Sequence, residues 1–369
     1  MAPATHVPAG PESARRAASA DPSVTTCAGE GRSGAVGSVC WLDDRRRRRR
    51  QLNGQAGPSP PAAGAHLALV GPTASGKSAL ALHLAERLAA AGAPVEVVSM
   101  DSMQVYRGMD IGTAKPTAAH RAAVPHHLLD LAEPWEEWDL ARHLAAASTA
   151  LAAIEGRGRR ALVVGGTGLY VQALVDGLAP PGRWPEVRAG LEAEADTAAL
   201  HRRLAGLDAE AAARMEPANR RRVVRALEVT IGSGRPFSSF GPGLGAHPPT
   251  SWRLAGLWLP RAALAERIAS RLATMVADGL VAEVAALARG PGGLSRTARQ
   301  ALGYREVLAH LESGLPLGAA LDQVLARTRA FARRQRVWWR RDPRVAWYGA
   351  AGSSLALAPA LLADWTRAG

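Results

Sequence analysis

The sequence predicts an α/β fold, a parallel sheet with flanking helices that is interrupted by a small all-helical insertion. Three observations predict it. Apolar runs at 66–70, 95–99 and 161–164 alternate with helical runs at 79–91 and 141–154, the pattern of strands joined by helical crossovers. Each run ends in a glycine-rich or polar motif, placed where open parallel sheets bind ligands. Between about 180 and 247 the strand signal disappears. Pro180, Pro181 and Pro185 open that segment, and short helical runs follow.

The chain starts with a stretch that has no apolar period. Residues 1–63 are rich in Ala, Pro, Gly and Ser and carry six consecutive arginines at 45–50. They read as a disordered basic extension. The only cysteines, Cys27 and Cys40, lie within it. A disulfide framework or cysteine zinc site is therefore not expected, and a reducing cytoplasm fits. No apolar run is long enough to cross a membrane.

The core is expected over 64–180 and 248–350. Its first strand leads into a glycine-rich turn, then a helix closed by Gly92; its second ends at Asp101; its third runs into Gly165 and Gly166. The insertion, 181–247, should hold helices at 188–194, 197–204, 209–215 and 219–231. The sheet resumes at 254–259. Helices follow at 261–278, 280–287, 304–312 and 317–339, and 351–369 reads as a tail.

The net charge is +13, and the chain beyond residue 63 remains basic, with 36 basic against 27 acidic residues, which favours a polyanionic partner. Only two of the 45 basic residues are lysines, Lys77 and Lys115. In so arginine-rich a chain, a compact ammonium is expected to matter at both.

The sharpest motif is Gly71-Pro72-Thr73-Ala74-Ser75-Gly76-Lys77-Ser78, a phosphate-binding pattern set between a strand and a helix. Its glycines let the backbone curl so that N–H groups face inward, and the helix N-terminus adds positive potential. Lys77 supplies a point charge to phosphate oxygens, and the Ser78 hydroxyl can hold Mg²⁺. The motif says diphosphate or triphosphate without choosing. The third strand ends in Gly165-Gly-Thr167-Gly-Leu-Tyr170 rather than in a Mg²⁺-binding aspartate, which weighs against nucleotide hydrolysis.

Together with 71–78, the segments Asp101-Ser102-Met103-Gln104-Val-Tyr through Pro116, 125–130, 165–170, 219–228, 267–271, 300–305 and 333–340 resemble the bacterial tRNA dimethylallyltransferase family, in order, from about 66 to 348. That resemblance implies a P-loop kinase-like core whose loop grips the diphosphate of dimethylallyl diphosphate, with Mg²⁺. The acceptor it implies is the exocyclic N6 of the adenine 3′ to the anticodon, in tRNAs reading codons that start with U. It casts Asp101 as the base, Arg271 as a further cation on the leaving group, and Thr73 and Thr167 as channel lining. It points to tRNA contacts by Asp101, Ser102, Met103, Gln104, Thr167, Arg188, Arg221, Arg222, Arg225, Gln300 and Arg305, and to a monomer. Some bacterial relatives carry an arginine where Gln300 stands.

The helix around 327–344 holds eight arginines with Trp338 and Trp339 among them, suited to phosphates and stacking, although at least one tryptophan should be core. Asp110 could compete with Asp101 as base. The rival readings are a P-loop small-molecule kinase, a prenyltransferase of free adenine nucleotide, and a non-catalytic RNA-binding protein. The first two leave the basic helices unused; the last leaves Lys77, Ser78 and Asp101 unused.

Overall fold

The computed structural model describes residues 66–366 apart from 242, 350 and 351, so the proposed extension at 1–63, with its arginine run, lies outside the described residues. Six strands form one wholly parallel sheet: β1 Leu67–Val70, β2 Val95–Ser99, β3 His126–His127, β4 Arg160–Gly165, β5 Arg253–Trp258 and β6 Ala346–Gly349, in the order β3-β2-β4-β1-β5-β6. β1 pairs with β4 and β5, which puts the phosphate-loop strand in the middle of the sheet.

Every residue of β1 and β2 is buried, because helices cover both faces. The two-residue period sorts the side chains. Leu67, Leu69, Val95, Val97, Leu162 and Val164 pack with Leu80 and Leu84 of helix α1, Lys77–Ala90. Ala68, Val70, Val98, Ala161 and Val163 pack on the opposite face. They meet Ile154 of a helix at Leu140–Gly156, Val171 of another at Gly168–Val175, and Trp339. Each such buried Val or Leu contributes about 1.5–3 kcal/mol of transfer free energy.

Numbered along the chain, the helices after α1 are α2 Ala118–Ala123, α3 Leu140–Gly156 and α4 Gly168–Val175; α5 Pro185–Ala193, α6 Thr197–Leu207, α7 Ala209–Ala213 and α8 Arg220–Ser233; then α9 Arg261–Ala277, α10 Leu280–Arg289, α11 Tyr304–Ser313, α12 Leu317–Arg341 and α13 Ala358–Thr366. Helices α5 to α8 bury their own apolar cluster, including Leu191, Leu204, Val223 and Leu227. Helices α9 to α12 build a second layer with Val105, Tyr106 and Met109 of the loop after β2.

Several expectations change. Residues 351–369 are not simply a tail: Leu361 and Trp365 of α13 belong to the α1 side of the core. β3, β6, α2 and α4 also appear without a sequence reading. A short 3₁₀ turn at Phe237–Phe240 follows the last helix of the insertion.

Candidate active site

The phosphate loop leaves β1 with Gly71 at φ 142° and enters α1 through Gly76 at φ 89°, left-handed values that strain any other residue. A Cβ on Gly71 would also sit 2.9 Å from the Leu257 carbonyl of β5. Helix α1 has no side-chain cap, so its first N–H groups stay open to an anion. Lys77 is buried, and its Nζ donates to the Pro72 carbonyl at 2.7 Å and toward Ser75 Oγ at 3.5 Å, with no ion-paired carboxylate among the described residues. Burial, reinforced by the nearby Arg271 cation and only partly opposed by Asp101, lowers its pKa to about 7. Ser78, at the second position of α1, is exposed.

Asp101 follows β2. Its Oδ1 accepts from the Met103 N–H at 2.8 Å, closing a local turn, which leaves the other oxygen without a partner among the described residues. Arg271, half-buried on α9, donates to Thr73 Oγ1 at 3.4 Å. Its pKa is lowered by burial, with Asp101 opposing the shift. Thr167 precedes α4 without spending its hydroxyl on a cap. Tyr170, one turn on, is pushed up to about 12, first by burial and then by the fields of Asp139 and other groups, including Asp101. Three strand ends thus bring Thr73, Lys77, Asp101 and Thr167 to one place, and α9 adds Arg271. A cleft of ≈ 1000 Å³ opens beside Arg271, with Ile111, Thr274 and Met275 among its walls.

The loop after Asp101 is held from below. Lys115, 1% exposed, pairs with Asp110 at 2.6 Å and Asp130 at 2.7 Å and donates to the Tyr106 carbonyl. Glu283 of α10 accepts from the N–H groups of Asp110, Ile111 and Gly112, and from Tyr304 Oη. Asp110 is therefore a structural partner of Lys115 and not a rival base. Gln104 is corrected too. It is buried, accepts from Ser99 Oγ and donates to the Thr113 and Ala114 carbonyls, so its amide braces the loop from inside. Ser102 is half-buried, and Met103 packs on the α9–α12 layer.

The expected RNA-facing residues divide. Arg221, Arg222, Gln300 and Arg305 are exposed, and their side chains have no partner among the described residues. Arg188 and Arg225 instead converge on the buried carboxylate of Glu228, at 3.2 and 2.9 Å, and Arg225 also donates to the Pro181 and Gly182 carbonyls. Those two hold the insertion together. Trp339 is fully buried, and Trp338 packs beside Gly168, so neither is an open stacking platform. Sequence reading missed Gln335, which accepts from the Thr73 N–H at 2.8 Å. The one available signal was an uncharged amide within an arginine run.

Residues 104–342 match the family model described as IPP transferase. The chain is 49% identical over 299 residues to a tRNA dimethylallyltransferase of Salinispora arenicola, covering 80% of this chain and 85% of that one. It is 48% identical to one from a Mycobacterium species, covering 76% and 92%. The crystal structure of a tRNA isopentenylpyrophosphate transferase from Bacillus halodurans superposes with a TM-score of 0.58 at 34% identity, over 82% of this chain and 97% of that one. A eukaryotic dimethylallyltransferase acting on tRNA shares the fold, with a TM-score of 0.66 at 24% identity over 78% and 74%.

Proposed function

The chain belongs to the IPP transferase family and is a prenyl-transferring enzyme that modifies tRNA; on that premise we propose that it moves the dimethylallyl group from dimethylallyl diphosphate to N6 of the adenine 3′ to the anticodon, in tRNAs reading codons that begin with U. The observation that carries this reading is the convergence of two cations, the buried Lys77 and the half-buried Arg271, on a loop beside Asp101, a carboxylate with one oxygen unpartnered among the described residues.

The geometry suits the chemistry. The exocyclic amine is a weak nucleophile whose lone pair is drawn into the ring. As N6 bonds to C1 of the dimethylallyl group, the bond from C1 to the diphosphate oxygen breaks and its electron pair leaves with diphosphate. Lys77, Arg271 and the open N–H groups of α1 meet the charge that develops there. The free oxygen of Asp101 takes the N6 proton. Thr73 and Thr167 line the path between them. The adenine must leave its stack to reach this depth, which costs least in a loop.

Mg²⁺ fits the donors present. The Ser78 hydroxyl is exposed at the start of α1, and no group of three or more His, Cys, Asp or Glu side chains forms a metal cage among the described residues. A hydroxyl together with diphosphate oxygens and water is the donor set Mg²⁺ accepts. When bound, it neutralises part of the leaving-group charge. No helix among the described residues is long and apolar enough to cross a membrane. With tRNA as substrate, we place the enzyme in the cytoplasm, as a monomer.

The test is incubation with labelled dimethylallyl diphosphate, Mg²⁺ and either unmodified tRNA or AMP. Label should enter tRNA and not AMP. Asp101→Asn, which keeps the acceptor for the Met103 N–H, should slow transfer about 10²–10⁴-fold. Label in AMP would move the acceptor to free nucleotide, and ATP consumption without label transfer would return the chain to the kinases.

A further inference from the structure

Gln335 lies on α12 at 6% exposure, among arginines of which Arg333 and Arg334 are exposed. Its two amide atoms face two different parts of the site. Oε1 accepts from the Thr73 N–H at 2.8 Å, bridging 262 residues of chain. Nε2 lies against Gly166, so closely that a Cβ added there would meet it. Thr73 in turn receives Arg271 on its hydroxyl. One amide thus sits between the phosphate loop, the turn that carries Thr167, and α12, a helix with seven arginines.

We propose that Gln335 is a positioning residue for prenyl transfer: it fixes Thr73, and through Thr73 the Arg271 guanidinium, and so ties the arginine-rich helix to the diphosphate site. The proposal rests on the transfer reading above. Its physical content is that a buried side chain with one good acceptor contact sets the conformation of a loop whose neighbouring residues must meet the diphosphate. A misplacement of about 1 Å at such a site costs on the order of a hundredfold in rate. The bond leaves α12 toward the core, so RNA contacts on the helix's exposed side do not depend on it.

The experiment compares wild type with Gln335→Met, which keeps the length and removes the acceptor. Three quantities are read: the Kd of inorganic diphosphate with Mg²⁺ by calorimetry, the single-turnover rate of label transfer at saturating tRNA, and the Kd of tRNA. The single-turnover rate should fall about ten- to a hundredfold, the diphosphate Kd should rise severalfold, and the tRNA Kd should stay within about twofold of wild type. Combined with Thr73→Ala, which removes the hydroxyl that Arg271 meets and keeps the N–H that Gln335 accepts, Gln335→Met should cost less than it does alone, because each variant cuts the same chain from Gln335 through Thr73 to Arg271. Gly166→Ala should reproduce the Gln335→Met losses by pushing the amide away.

A weaker tRNA Kd with an unchanged single-turnover rate would make Gln335 an RNA contact and overturn the proposal. Additive losses in the double variant would overturn it as well. If Gln335→Met loses its thermal unfolding transition, Gln335→Asn, one methylene short of Thr73, carries the same expectations. If wild type fails to label tRNA, the transfer reading falls, while the diphosphate Kd still reports whether Gln335 shapes the loop.

Discussion

The two lysines of this chain are both buried, and their surroundings differ in kind. Lys115 sits among two carboxylates and a carbonyl, its charge matched within the fold. Lys77 has a carbonyl, a distant hydroxyl and a neighbouring arginine, and burial with that arginine lowers its pKa to about 7. A cation whose partners come from the fold is structural. A cation that the fold buries beside another cation is incomplete until an anion arrives, which marks a binding site more sharply than the sequence motif does.

Removing each lysine should separate the two roles. Lys115→Met leaves Asp110 and Asp130 facing an apolar side chain, although Asp130 keeps Arg121 at 2.6 Å. The two carboxylates are 57% and 30% exposed, so losing these charged hydrogen bonds costs about 1–3 kcal/mol, and the loop after Asp101 should loosen with it. The melting temperature should drop, and activity should fall because the site loses its floor. Lys77→Met should slow transfer roughly 10²–10³-fold while stability at neutral pH holds or rises, because a desolvated charge has been removed. Equal losses of stability in both variants would erase the distinction.

How much of this was legible in the sequence follows the range of each interaction. The phosphate loop, Asp101 at a strand end, and the helices α9 to α12 are local patterns, and they were readable. β3 is two residues long, β6 is four, and α13 is a short Ala-rich run; none has a period long enough to detect. The direction of a side chain was harder still. Gln104 was expected at the RNA but turns inward to backbone carbonyls. Arg188 was expected at phosphate but meets Glu228, 40 residues away. Composition names the charge, and only the tertiary fold says whether that charge is already paired.

A subtler consequence of the contrast is a proton. Unfolded, Lys77 holds its charge up to its ordinary value of 10.5; folded and ligand-free, it loses that charge above about 7. Between those limits the unfolded state binds more protons, so the ligand-free protein gains stability as pH rises from about 7 toward 10.5. Diphosphate restores the charge, so its binding at pH 8.5 should take up as much as one proton. Calorimetry in two buffers of different ionisation enthalpy measures the uptake directly. In Lys77→Met it should vanish, apart from the ligand's own contribution. Identical uptake in both proteins would mean that Lys77 is already charged in the open pocket.

The smallest expected effect carries the same comparison onto the insertion. Arg222 is exposed and without a side-chain partner among the described residues, whereas Arg225, three residues on along α8, is held by Glu228 and two carbonyls. If unpaired arginines are the ones that meet RNA, Arg222→Ala should leave the melting temperature almost unchanged. It should also flatten the slope of log Kd for tRNA against log salt by about one unit. Arg225→Ala should lower the stability of the insertion by about 1–3 kcal/mol, because Glu228 loses a partner while staying buried, and any weakening of tRNA binding should track that loss. Filter binding across a salt series, with thermal unfolding run on the same samples, separates the two. A salt slope that changes for Arg225→Ala and not for Arg222→Ala would reverse the assignment, and pairing within the fold would no longer tell structural arginines from RNA-binding ones.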